Sequence, residues 1–218
     1  MTNFSEIIEN YNRISKTIPE NIQLVAVSKT HTVDKITDVY HLGQRVFGEN
    51  KVQDLKQKME KLEELPIEWH FIGTLQKNKI NNLIDLNPTL IQSLDSLDLA
   101  LELNKKLEAK NKKLSALLQI NSAYEDTKAG VLPENALEVY KQILELCPNI
   151  ILKGIMSIGA HVEDEKIIKE SFKTTKKIYD ELVPFGAKYC SMGMSSDFEL
   201  AIACGSNMIR VGSTLFKD

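Results

Sequence analysis

The stretch IQLVAVSKTHTVDKI, Ile22 to Ile36, ends an otherwise apolar run on a lysine, Lys29. An amine held where burial disfavours the ammonium ion can attack an aldehyde, so Lys29 is a candidate Schiff-base lysine. A rim lysine with its stem packed and its head in water is the competing reading. Only three of the 27 basic residues are arginines, so lysines are common along this chain and position alone does not decide.

Further chemistry converges from the C-terminal segment KYCSMGMSSDFELAIACGSNMIRVGSTLF. It holds two Gly/Ser-rich turns, Ser191-Met192-Gly193-Met194-Ser195 and Gly212-Ser213-Thr214. Such turns bind phosphate through backbone N–H groups that glycine lets a ligand approach, with hydroxyls as added donors, although one turn alone could serve chain reversal only. Arg210 stands between them. Strand alternation turns Met208, Arg210 and Gly212 to one face and Ile209 and Val211 to the other. A buried guanidinium needs an acceptor, either an interior carboxylate such as Glu49 or the ring nitrogen of a ligand. A Schiff-base lysine, a phosphate cup and a ring-nitrogen partner together point to pyridoxal phosphate.

Two more segments supply polar groups. FGENKVQD offers Glu49 and Asn50, and WHFIGTLQKNK offers His70, Gly73 and Gln76. Between Trp69 and Phe71, His70 reads as a core histidine rather than a proton shuttle, so Asn50 ranks above it as a ligand contact. His31, His41 and His161 lack ligand spacing, and no metal is expected.

These residues need elements to position them. Eight short apolar runs recur, at 22–28, 45–48, 69–73, 89–94, 114–121, 151–158, 187–192 and 208–212, each separated by segments of helical period. Val52, Leu55, Met59 and Leu62 mark one amphipathic face; Ile168, Phe172, Ile178 and Leu182 belong to another. Gly43 follows one helix, Pro133 can open another, and Ser196 with Glu199 offers a capping box. Nearly continuous apolar strands with crossover helices imply a parallel sheet covered on both faces. Eight βα units close a TIM-type (β/α)8 barrel, with a doubly wound open sheet as the runner-up. In such a barrel the strands' C-terminal ends carry the chemistry, and Lys29 ends the first strand. The terminal STLFKD is too short for an eighth helix. An N-terminal helix over about residues 3–18, with Ile7, Tyr11 and Ile14 on one face, is expected to cover its place. The barrel spans about 22–216 in a single domain, 1–218.

Composition narrows the function classes. The 218 residues are 43% hydrophobic and 26% charged, with a net charge of −3, and no basic face fits a phosphodiester backbone. The lysine-rich segment Leu103 to Leu114 reads as a solvated helix face. Cys147, Cys190 and Cys204 are too far apart for a metal knuckle and odd in number, which suits a reducing cytoplasm. No leader pattern and no apolar run of spanning length is present, so neither nucleic acid nor membrane is an expected partner.

The segments LVAVSKT, FGEN, WHFIGTLQKNK, LLQIN, GIMSIG, SMGMSSDFELAIACGS and IRVGSTLF resemble the pyridoxal phosphate homeostasis protein family, single-domain relatives of the alanine racemase barrel. The resemblance runs in register from about Val25 to Phe216. It implies pyridoxal 5'-phosphate held as a Schiff base on Lys29 and Arg210 at the pyridine nitrogen. By the same comparison Ser191, Gly193, Ser195, Gly212, Ser213 and Thr214 supply or shape the phosphate cup. It implies a protein of vitamin B6 homeostasis that holds the cofactor and passes it to apo-enzymes. Two positions depart from the family's habit, Asn207 where threonine is usual and Lys217 where glycine is. A racemase of this fold takes its second acid or base from an added domain and a partner subunit, so a monomeric carrier with little turnover is expected. The alternatives are a racemase or weak transaminase, with Tyr189 or Cys190 as the second group, and an aldolase-like lyase using Lys29.

Overall fold

The computed structural model describes residues 4–125, 128–160 and 162–217; His161 lies outside them. Eight strands form: β1 Gln23–Val27, β2 Val46–Glu49, β3 Glu68–Phe71, β4 Leu90–Leu94, β5 Leu114–Ile120, β6 Ile150–Ser157, β7 Tyr189–Ser191 and β8 Met208–Val211. Each pairs in parallel with its neighbours in chain order, and β8 closes on β1 with Val25 opposite Arg210 and Ala26 opposite Val211. The result is the closed TIM-type barrel that the eight runs implied, not an open sheet.

The period of two sorts the side chains. Val25, Val46, Leu90, Leu117, Met156 and Met208 fill the interior as one cluster. The intervening Ala26, Phe47, Trp69, Ile91, Ile209 and Val211 face outward into the much larger layer between sheet and helices. Arg210, between Ile209 and Val211, therefore points inward as alternation required. The fully buried Phe47 contributes about 2–3 kcal/mol by leaving water, and its replacement by alanine would cost about 3–5 kcal/mol once the cavity is included.

The covering helices are α1 Phe4–Thr17, α2 Val33–His41, α3 Val52–Lys61, α4 Ile80–Leu86, α5 Leu97–Ala109, α6 Ala136–Leu146, α7 Glu165–Leu182, α8 Phe198–Ala203 and the single turn α9 Ser213–Phe216. Helix α1 packs against α2 and α9 with Ile7 and Ile14 buried beneath it, so it takes the place a full eighth helix would occupy. Gly43 adopts φ +108° just past α2, and Pro133 opens a 3-10 turn that runs into α6. The capping box expected at Ser196 and Glu199 does not form. Asp197 occupies the cap of α8, and its Oδ1 reaches backward to accept the Met194 N–H at 2.6 Å, bracing the preceding turn instead.

Candidate functional site

Strand β1 ends at Val27, and Lys29 lies two residues beyond, on the turn at the barrel's C-terminal mouth. Its side chain is exposed, so the fold does not itself bury the amine, contrary to the desolvation expected from the sequence. The fold fixes the backbone around it. Ser28 is fully buried; its hydroxyl donates to Glu49 Oε1 at 2.5 Å, and its carbonyl accepts from Lys58 Nζ at 2.8 Å. Thr30 takes a left-handed φ of 68°, and the His31 ring stacks on Phe216 with centroids 4.5 Å apart.

Glu49 is thus engaged outside the barrel. Gly48 turns inward, so Glu49 turns outward to α3, where Lys58 Nζ donates to its Oε1 at 2.6 Å. It is not the partner of Arg210. That guanidinium, 4% exposed, donates through Nη1 to Ser191 Oγ at 2.6 Å and through Nη2 to the Ser157 carbonyl at 2.8 Å. Both acceptors are neutral. Burial pulls the guanidinium down to about 10, which leaves it charged at neutral pH.

Ser191 has a different place from the one its sequence neighbours suggested. It is fully buried on β7, and its hydroxyl accepts from Arg210 and donates to Gln92 Oε1 at 2.6 Å. It supports the arginine from below rather than meeting a phosphate at the rim. Gln92 in turn donates through Nε2 to His70 Nδ1 at 2.9 Å. His70 is a core histidine, as its neighbours implied, and burial lowers it to about 3.

The remaining cup residues do gather at one edge of the mouth. Ser195 Oγ accepts the backbone N–H groups of Gly212, at 3.1 Å, and Thr214, at 3.3 Å, while Thr214 Oγ1 donates to the Ser195 carbonyl at 3.2 Å. Ser213 is exposed beside them. Gly193 has φ +99°, and a Cβ there would lie 2.6 Å from the Ala201 Cβ, so the first turn can close against α8 only as glycine. Donors already converging on one hydroxyl oxygen, beside a buried cation, form a set that suits a phosphate ester next to an aromatic nitrogen acceptor. The residues present fit pyridoxal phosphate.

Asn50 follows β2 and lines a cavity of about 350 Å³ with Phe71, Thr74 and Gln76, beside the mouth. Gly73 holds that wall together, because a Cβ on it would fall 1.9 Å from the Asn50 carbonyl oxygen. Neither candidate second acid lies near Lys29. Tyr189 begins β7 and lines the barrel floor, and Cys190 faces the outer layer, fully buried, its thiol pushed up to about 12 by burial. Among the described residues no group of His, Cys, Asp and Glu could hold a metal ion. Sequence reasoning missed Gln92, Ser157 and Lys58. A polar residue two places after Leu90 in the run LIQSL was the available signal for Gln92, since alternation puts both inside.

A family model described as "Alanine racemase, N-terminal domain" matches residues 2–218. The chain is 58% identical over 197 residues to the pyridoxal phosphate homeostasis protein of Helicobacter pylori, covering 90% of this chain and 88% of that protein. To the human protein of the same name it is 36% identical over 209 residues, covering 90% and 76%. Its fold is similar to the solved structure of PipY of Synechococcus elongatus with PLP bound, at a TM-score of 0.85 and 32% identity, covering 96% of this chain and 99% of that one.

Proposed function

The chain belongs to the family of the alanine racemase N-terminal domain, and from that membership and the mouth geometry we propose that it binds pyridoxal 5'-phosphate and serves in its intracellular homeostasis, with little or no turnover. The observation that carries this reading is Arg210, a buried cation on neutral acceptors, two residues before the Gly212 turn and on the strand that pairs with the one leading to Lys29. When bound, pyridoxal phosphate supplies an aldehyde that an amine can capture and a ring that draws electrons from the adjoining carbon. Lys29 supplies that amine. The N–H groups of Gly212 and Thr214, with the hydroxyls of Ser195, Ser213 and Thr214, hold the phosphate, and Gly193 shapes the cup. Asn50 lies at the neighbouring rim.

Arg210 would donate to the ring nitrogen and keep its own protons, which would leave that nitrogen unprotonated and the ring a weak electron sink. The placement of Tyr189 at the floor and Cys190 outside the barrel supports holding over racemisation, because neither can deliver a proton near Lys29. Residues 1–218 act, in this reading, as one cofactor-binding unit, a monomer in the cytoplasm that yields the cofactor to apo-enzymes. Three unpaired cysteines, two of them buried, fit a reducing compartment, and among the described residues no helix is long and apolar enough to cross a membrane.

The test is the near-visible absorption of the purified protein with added pyridoxal phosphate, before and after borohydride, in the wild type and Lys29→Ala. A borohydride-sensitive band absent from the variant is the expected result. A wild type that stays colourless would overturn the cofactor assignment and favour the aldolase-like use of Lys29.

A further inference from the structure

We propose that Gln92 is a positioning residue for Arg210, acting through Ser191, with its own orientation set by the neutral Nε2–H form of His70 beneath it. The four side chains cross the barrel interior as one chain of hydrogen bonds, Arg210 Nη1 to Ser191 Oγ at 2.6 Å, Ser191 Oγ to Gln92 Oε1 at 2.6 Å, and Gln92 Nε2 to His70 Nδ1 at 2.9 Å. All are at least nine-tenths buried, so each polar atom must find its partner within the chain or nearby.

Donor and acceptor chemistry gives this chain one direction. A guanidinium can only donate, so Ser191 Oγ must accept from it and aim its own hydrogen elsewhere. The acceptor in reach is an oxygen of Gln92, which obliges the amide to turn its NH2 group toward His70. Nδ1 must then be the bare, accepting nitrogen, and the ring proton belongs on Nε2. A proton on Nδ1 would force the amide to flip, so that Ser191 Oγ would accept from two donors and its own hydrogen would lose the Gln92 oxygen. His70 also lines a floor cavity of about 130 Å³ with Gln23, Glu68 and Thr89, room for a few waters of the kind an Nε2–H would need as acceptors.

With Nη1 held from below and Nη2 held by Ser157, the guanidinium plane is fixed at two points. Its remaining N–H groups are then presented to the mouth in one orientation. Resting on the proposed binding of pyridoxal phosphate, this is what aims a donor at the ring nitrogen. Gln92 and His70 do not touch the ligand; their effect passes through Arg210.

The experiment compares Gln92→Leu, which removes the acceptor for Ser191, with Gln92→Glu, which keeps it, on full-length protein. Imidazole nitrogen shifts of wild-type His70 are expected to report the neutral Nε2–H tautomer at neutral pH. Exchange of the Arg210 side-chain N–H protons is expected to quicken roughly tenfold in Gln92→Leu and little in Gln92→Glu, and pyridoxal phosphate affinity to fall about tenfold in the first only, the size of one charge-assisted hydrogen bond. An Nδ1–H or doubly protonated His70, or unchanged Arg210 exchange in a folded Gln92→Leu, overturns the proposal. A wild type that fails to bind pyridoxal phosphate instead removes the functional reading, while tautomer and exchange still decide the positioning role.

Discussion

Lys58 Nζ lies 2.6 Å from Glu49 Oε1, in the layer between α3 and the barrel, and the same ammonium donates to the Ser28 carbonyl at 2.8 Å. The pair ties a helix to the backbone one residue before Lys29. Glu49 is fully buried and its Oε2 has no partner of its own, so the carboxylate depends on Lys58. Lys58→Met should therefore cost about 3–5 kcal/mol in urea unfolding, because it leaves a buried charge uncompensated. Adding Glu49→Leu should recover most of that loss. A single variant as stable as the wild type would mean that water reaches the carboxylate.

Gly73 and Gly43 make a contrasting pair for substitution by alanine. At Gly73 the new Cβ would lie 1.9 Å from the Asn50 carbonyl oxygen, a backbone atom that moves only with the β2 turn. Gly73→Ala should lose about 2–3 kcal/mol and disturb the wall carrying Asn50. At Gly43 the nearest atom, Tyr11 Oη, is 3.9 Å away, so only the left-handed φ of +108° resists, at about 1 kcal/mol. Thermal melting of the two variants reads the difference. Equal shifts would show that backbone angle, not crowding, governs both.

The barrel was legible because its signal is redundant: eight apolar runs, each with a crossover, admit few other closures, and the inward turn of Arg210 followed from a period of two. The site was legible only where backbone chemistry writes itself in sequence, as at Gly193 and Gly212. Ser191 misled because it abuts Gly193 in the chain, yet it still belongs to β7, where alternation turns it into the barrel, while the turn begins after it. The assignment of Glu49 failed by the same alternation, because Gly48 takes the inward position of β2 and leaves Glu49 facing α3. Gln92 and Lys58 act across 99 and 30 positions of separation, on Ser191 and Ser28 respectively, and no local pattern encodes such contacts. Ser196 and Glu199 had the spacing of a capping box, but Asp197 had a closer backbone donor to accept from.

His70 gives the stability a pH dependence of known sign. Burial holds its folded-state value near 3, below the ordinary 6.5, so the folded protein keeps the neutral ring. As pH falls from 6.5 toward 3, the unfolded chain gains a proton that the native state refuses, and stability drops by up to about 1.4 kcal/mol per pH unit from this group. The contribution is present above pH 6.5 and erodes below it. Unfolding free energies of the wild type and His70→Gln between pH 7 and 4 should diverge in slope, the variant being flatter. Parallel slopes would place a protonated His70 in the native barrel.

The side chain of Asn207 makes up for a short strand. Strand β7 has three residues and a single residue pair with β8, Ser191 opposite Met208. Asn207 Oδ1 accepts the Cys190 N–H at 2.7 Å and its Nδ2 donates to the Lys188 carbonyl at 2.8 Å, so one amide serves a donor within β7 and an acceptor just before it. A threonine hydroxyl is shorter and cannot span both. Asn207→Thr should then cost about 1–2 kcal/mol, one lost hydrogen bond with a buried group left over. It should also speed hydrogen exchange at the Cys190 amide. Because Ser191 follows directly and supports Arg210, pyridoxal phosphate affinity should weaken as well, though less than in Gln92→Leu. Faster Cys190 exchange with unchanged affinity would show that β7 can loosen at its start while Ser191 stays in place.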